Sequence, residues 1–218
     1  MSELELRLDF PGVILTLNNE VLLLRSWTPL HTMASAVVGG GLSRVRYILH
    51  KYVNPDYSYS DPEGELKALA RNYGVTEPFV GLMTSVPLCN GRTTSLREGP
   101  LAVAAIVTAG LSHPSAPGLS LPVTFTPGTI NMIVLVDAQL TPAAMVNSVI
   151  TVTEVKAQVL MQRGILTRQG HPATGTSTDA VAIACTGRGG PLPYAGPATP
   201  VGWLIGRSVR AALEEALL

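Results

Sequence analysis

Three apolar runs, at 101–109, 130–136 and 179–184, constrain the fold more than any other feature. Each is far shorter than the roughly 18 residues a membrane helix needs. The longest continues to Leu111, but Thr108 and Gly110 interrupt it. Apolar runs of this length without polar alternation are strands covered on both faces. Burial of such strands explains a mean hydropathy of +0.31 without any membrane span.

The flanking signals fill in the rest. Residues 4–10 alternate as a half-buried strand does. The runs 13–17 and 20–25 flank Asn18-Asn19, a hairpin signal. Residues 33–38 form a strand that ends in Gly39-Gly40-Gly41, and 79–85 form another. Asp61-Pro62, Thr141-Pro142 and Thr199-Pro200 each place a capping side chain before a proline, which opens a helix. The first of these helices closes at Gly74 and the second near Arg163-Gly164. The segment 112–122, rich in Pro, Ser and Gly, reads as a loop able to act as a lid. Strands and helices are segregated along the chain. The expected class is therefore α+β: one layered α/β sandwich of mostly buried strands with covering helices, a single domain over 1–218.

Charge excludes some functions. Lys plus Arg and Asp plus Glu each number 15, and only 14% of residues are charged. Nucleic-acid binding needs a basic face, so it is not expected. Arg44, Arg46, His50 and Lys51 read as a small solvated cluster. The acidic start, without a basic n-region, is not a signal peptide. Cys89 and Cys185 have no CxxC spacing, which fits a reduced, cytoplasmic compartment. The histidines His31, His50, His113 and His171 show neither HxxxH nor HExxH spacing, so no metal is expected. A nucleophile elbow and a dinucleotide-type glycine loop are absent. The sequence leaves oligomeric state open, a homo-oligomer included.

The polar residues between Pro127 and Asp179 are the candidates for chemistry. On the helix after Thr141, Asn147, Thr151, Glu154, Gln158 and Gln162 share one arc, and Met145, Val149, Val152, Val159 and Leu160 the other. Lys156 falls in the middle of the apolar arc. A buried ammonium needs a carboxylate or a ligand oxygen, and Asp179 is the expected partner because Glu154 points toward the polar arc. Snorkelling from a helix edge is the bland alternative for Lys156, and a solvated face the bland alternative for Glu154. Thr129 follows a glycine just before a strand. It is either a hydroxyl presented at a sheet edge or a turn threonine bonding its own backbone. The turn 174–179 carries hydroxyls around Gly175, so its N–H groups can converge on one oxyanion, or it is a strand entry capped by Asp179. Gly39-Gly40-Gly41 suits a close approach of backbone to a flat, bulky ligand.

Several runs carry a family resemblance. They are Ser35-Ala36-Val37-Val38-Gly39-Gly40-Gly41, Gly81-Leu82-Met83-Thr84, Thr108-Ala109-Gly110-Leu111, Pro127-Gly128-Thr129-Ile130-Asn131, Thr153-Glu154-Val155-Lys156, Ala173-Thr174-Gly175-Thr176 with Thr178-Asp179, Tyr194-Ala195-Gly196, and Val201-Gly202 with Ile205-Gly206. From about residue 30 to the C-terminus the chain resembles the adenosylcobinamide amidohydrolase family. The resemblance implies hydrolysis of the amide that joins aminopropanol to the corrin ring of adenosylcobinamide, giving adenosylcobyric acid in corrinoid salvage. It implies a corrinoid held as substrate rather than as cofactor, and the DxHxxG run of cobalt-ligating modules is absent. Resemblance and the Lys156 anomaly together assign catalysis to Thr129, as nucleophile or water-positioning group, and to Asn131, Glu154 and Lys156. Substrate binding falls to Ser35, Gly39, Gly40, Gly41, Thr84, Thr108, Thr174, Thr176 and Asp179. Over 127–184 the chain also resembles the ornithine acetyltransferase and β-peptidyl aminopeptidase superfamily, whose hydroxyl nucleophile is freed by self-cleavage. Thr129 matches that position, but a continuous chain argues against cleavage here. The alternatives are a non-catalytic corrinoid-binding protein and a hydroxyl-nucleophile amidase or aminopeptidase.

Overall fold

A long strand, β3, organises the molecule by pairing with three neighbours at once. The computed structural model describes residues 4–58, 60–122 and 129–218. Pro127, Gly128 and the first three residues of the acidic start lie outside them. The strands of the first half are β1 (Leu4–Leu6), β2 (Val13–Leu17), β3 (Val21–Ala34), β4 (Gly41–Tyr52) and β5 (Phe79–Thr84), with α1 (Pro62–Asn72) before β5. Then come β6 (Arg92–Glu98), β7 (Leu101–Ala109), β8 (Pro114–Ser115), β9 (Ile130–Val136), β10 (Gln139–Leu140), α2 (Pro142–Gln162), β11 (Gly175–Thr176), β12 (Ala180–Cys185), β13 (Pro191–Leu192) and α3 (Pro200–Ala216).

Nine strands form one sheet in the order β1-β2-β3-β12-β9-β7-β6, with β4 on β3 and β5 on β4. Along one edge of β3, Leu22 pairs with Leu17 of β2, and further on Ala34 pairs with Ala182 of β12. Along the other edge β4 runs the full length, with a register shift between Arg25 and Leu30. That irregularity falls where β3 passes from one partner to the next, as a bulge that bends a strand should.

The sheet therefore curls so that its two wings face each other. Leu22, Leu24, Ile48 and Leu82 from one wing pack with Ile106, Ile133, Leu135 and Ala182 from the other. Outside the second wing, Val103, Met132, Val134 and Ile183 pack under α2 and α3. Outside the first, Leu23, Leu49 and Phe79 pack under α1. The layers run helix, sheet, sheet, helix, which is the expected α+β sandwich. Strands covered on both faces lose the polar alternation of a half-exposed strand.

The cap-and-proline signals hold. Side-chain oxygens of Asp61, Thr141 and Thr199 accept from Gly64 N, Ala144 N and Gly202 N at 2.8, 3.1 and 3.1 Å. Some expectations need correction. Residues 20–25 and 33–38 are not two strands, because a bulge lets β3 continue between them. β6 was not expected, since Arg92–Glu98 is an edge strand rich in hydroxyl and charged residues. His50 and Lys51 do not lie on a solvated face. On β4, His50 faces Asn131 of the other wing and Lys51 faces Glu65 of α1, so they are 1% and 9% exposed, while Arg44 and Arg46 stay exposed. Lys51 is paired with Glu65 at 3.1 Å.

Candidate active site

An open cavity of about 920 Å³ lies between one flank of α2, the turn 174–179 and the loop 115–122. The α2 flank exists because the helix is held on two other sides. Its sheet-facing residues pack on the second wing, and Thr151 on the α3 side donates to Ala195 O at 3.3 Å. Thr151 thus leaves the expected polar arc and is buried. Val149 and Ile150 are left to wall the cavity, with Thr153, Glu154 and Lys156. The loop wall is fastened to the floor, since β8 pairs with β11 and Thr174 N donates to Ser115 O at 3.0 Å.

The floor holds an ion pair. Lys156 Nζ bonds Asp179 Oδ2, with the two side chains only 9% and 10% exposed. This is the partner expected from the helical arc. The Asp179 carboxylate also accepts from Thr176 Oγ1, from Thr176 N at 2.9 Å and from Ile130 N at 2.9 Å. Two charges taken out of water persist only with such additional hydrogen bonds. Gly175 makes room for the pair: a Cβ there would lie 2.5 Å from Asp179 Oδ2 and 2.8 Å from Lys156 Nζ. Glu154 is exposed on the wall and has no ion pair or hydrogen bond among the described residues. It also lines a smaller groove of about 260 Å³ toward Trp203 and Arg207 of α3.

A second polar cluster lies between the sheet wings. Alternation along β9 sends Ile130, Met132 and Val134 to the helices and Ile133 and Leu135 to the interior, so Asn131 faces inward. It meets His50 of β4. Asn131 Nδ2 lies 2.6 Å from Met83 O and 2.9 Å from His50 Nε2. Asn131 Oδ1 accepts from Ala180 N at 3.2 Å and from Thr129 Oγ1 at 2.9 Å. Thr129 Oγ1 also lies 2.8 Å from Thr178 O. Burial pushes the His50 ring from 6.5 down to about 3, so it is neutral at ordinary pH.

The structure thus divides the expected site. Glu154, Lys156, Thr174, Thr176 and Asp179 line the cavity, whereas Thr129 and Asn131 do not. The Thr129 hydroxyl has one proton, and the partners that receive it are an amide oxygen and a carbonyl, neither of them a base. The Asn131 donors go to Met83 O and His50, which leaves none for an oxyanion in the cavity.

Ser35, Gly39, Gly40, Gly41, Thr84 and Thr108 are also away from the cavity lining. Ser35 prolongs the pairing of β3 with β12, its Oγ accepting from Val181 N at 3.0 Å. Gly39 has φ +68°, and a Cβ would fall 2.3 Å from Phe79 O, so the close approach it permits is to β5. Thr84 Oγ1 accepts from Val86 N at 3.1 Å. Thr108 is buried opposite Asn131 in the β7–β9 register, with its hydroxyl unpaired among the described residues. Two residues on or under the site were not singled out: Ser177, which lines the cavity, and His50. Ser177 lay inside the hydroxyl turn already noted. His50 had no local signal, because its burial comes from the opposite wing.

The comparisons agree with this architecture. The PH0078 protein from Pyrococcus horikoshii OT3, a crystal structure, shares the fold at a TM-score of 0.54, with 14% identity over 99% of this chain and 82% of that one. An adenosylcobinamide amidohydrolase of Methanosarcina mazei is 31% identical over 192 residues, covering 84% of this chain and 88% of the relative. Another, of Halobacterium salinarum, is 41% identical over 128 residues, covering 56% of this chain and 52% of the relative. The family match begins earlier than the resemblance near residue 30 implied, and takes in β2 and the hairpin. With residues 13–218 matching the family and a relative similar across most of both chains, this chain belongs to the adenosylcobinamide amidohydrolase family.

Proposed function

We propose that the protein hydrolyses the amide between aminopropanol and the corrin of adenosylcobinamide, releasing adenosylcobyric acid and aminopropanol. The observation that carries this reading is a buried Lys156–Asp179 pair on the floor of a cavity of about 920 Å³. That volume is at the upper end for small-molecule sites, as a corrin ring requires. Val149 and Ile150 offer apolar wall to the ring, and Thr174, Thr176 and Ser177 offer polar partners to its amide side chains.

Amide hydrolysis needs a base, a stabiliser for the oxyanion and a proton for the leaving amine. Glu154 is the free carboxylate at the cavity, and it takes a proton from the attacking water. Water oxygen bonds to the carbonyl carbon, and the negative charge that builds on the carbonyl oxygen is met by Lys156. Asp179 holds Lys156 in place. The carbon–nitrogen bond then breaks, and the amine leaves with the proton that Glu154 accepted. Water is the nucleophile in this scheme because no base touches the Thr129 hydroxyl. These steps use only side chains of this chain and water. Protein treated with a chelator and given adenosylcobinamide is expected to release aminopropanol. No release, or release that zinc alone restores, overturns the scheme.

A further inference from the structure

We propose that His50 is a positioning residue for the Lys156–Asp179 pair, acting through Asn131; this rests on the amidohydrolase reading above. The link runs through the parallel neighbours β9 and β12. At their N-terminal ends each strand holds the other by a side chain. Asn131 Oδ1 of β9 accepts from Ala180 N, at 3.2 Å, and Asp179 Oδ1, just before β12, accepts from Ile130 N at 2.9 Å. The two clamps are one residue apart on each strand, Ile130 and Asn131 on one side and Asp179 and Ala180 on the other. Whatever sets Asn131 therefore also sets the carboxylate that holds Lys156.

The orientation of the Asn131 amide is fixed by the first wing. Its NH₂ group faces two acceptors, Met83 O at 2.6 Å and His50 Nε2 at 2.9 Å. A flipped amide would bring Oδ1 against Met83 O and a donor against Ala180 N–H, two repulsive contacts. His50 must then accept at Nε2 and carry its proton on Nδ1. That Nδ1 is buried and has no partner among the described residues. An orphaned donor buried away from water is destabilising, and an apolar side chain would fill the place at less cost. A histidine at that place is explained by the lone pair it offers to Asn131. Burial keeps the ring neutral, so the lone pair is present throughout the neutral range.

The test compares wild type, His50→Leu and His50→Gln for kcat and KM on adenosylcobinamide, with melting temperature alongside. Leu removes the acceptor, whereas Gln can place its carbonyl near the position of Nε2. His50→Leu is expected to lose about tenfold or more in kcat, as misplacement of a reacting group does. KM should stay within about twofold, and His50→Gln should recover most of the loss. A lowered melting temperature with normal kcat in His50→Leu, or a folded His50→Gln as slow as His50→Leu, overturns the proposal. Two measurements need no turnover. Nitrogen-15 spectra of wild type should show His50 as the Nδ1–H tautomer, and an Nε2–H tautomer overturns the proposal even if neither variant folds. The carbon-13 shift of the Asp179 carboxyl should move in His50→Leu, and an unchanged shift also overturns it. Wild type that turns over no adenosylcobinamide defeats the amidohydrolase reading instead.

Discussion

Two polar clusters lie on opposite sides of the 174–179 turn, and their chemistry differs. On the cavity side, Lys156 and Asp179 form a charged pair and Glu154 stands free. Between the sheet wings, His50, Thr84, Thr108, Thr129 and Asn131 are all buried and include no carboxylate, lysine or arginine. In the inner cluster Asn131 is satisfied on all sides, and the groups it binds belong to both wings. A cluster of that kind fixes geometry. The outer cluster has charge to offer to a ligand. The comparison separates residues whose loss should remove activity from those whose loss should loosen the frame.

The largest effect is expected at Glu154. Glu154→Gln should lower kcat by roughly a hundredfold or more, the contribution of a positioned base. The melting temperature should not change, because the side chain is exposed and unpaired. Normal turnover would return Glu154 to the solvated face of a helix. Next is Gly175→Ala, whose Cβ would enter the space of Asp179 Oδ2 and Lys156 Nζ. Its kcat should fall by about tenfold or more, as misplaced groups do, and stability should fall with it. An unaffected variant would mean that the pair tolerates displacement.

The inner cluster should respond to acid. The folded protein holds His50 at about 3, against 6.5 for the free side chain, because burial disfavours the charged form. Between those values the unfolded chain binds more protons than the folded one. Stability is therefore full above pH 6.5 and is lost as pH falls toward 3. At about 1.4 kcal/mol per pH unit the loss over that window is on the order of 4 kcal/mol. Urea titrations of wild type against His50→Gln would read it as a steeper acid slope in wild type. Equal slopes would show that the ring is not held neutral. The smallest effect on activity is expected at Thr129. Thr129→Ala should lose about 1 kcal/mol of stability, the worth of a hydrogen bond, with kcat within about threefold. Collapse of kcat at a normal melting temperature would make the hydroxyl a nucleophile. Two fragments on a denaturing gel, split before Thr129, would add self-cleavage.

The outer cluster was more legible in sequence than the inner one. Lys156 announced itself because a charge on an apolar helical arc has few solutions, and Asp179 proved to be its partner. The helix starts were legible because capping is local. Which way Asn131 points was not, because the run Ile130–Val136 is apolar on both faces and alternation does not say which face is inside. The sheet's curl at β3 decides that, and the curl is a property of distant pairings. For the same reason His50, read as solvated, is buried by a wing about eighty positions away, Asn131 being its partner at a separation of 81. Of the glycines 39–41, read as suiting a flat, bulky ligand, Gly39 approaches the backbone of β5, Gly40 that of Ala36, and Gly41 has no atom within 4 Å of where a Cβ would sit.

One measurement bears on the whole scheme: aminopropanol release from adenosylcobinamide by wild type and Lys156→Met, side by side, at a temperature where both are folded. Lys156 is paired inside the protein, so the variant should be less stable by about 3 kcal/mol, the stranded carboxylate keeping its other donors. Wild type should release aminopropanol, and Lys156→Met should do so at least roughly a hundredfold more slowly, the scale of a lost electrostatic donor. A folded Lys156→Met that turns over at the wild-type rate would contradict the assignment of the reaction to the Lys156–Asp179 floor.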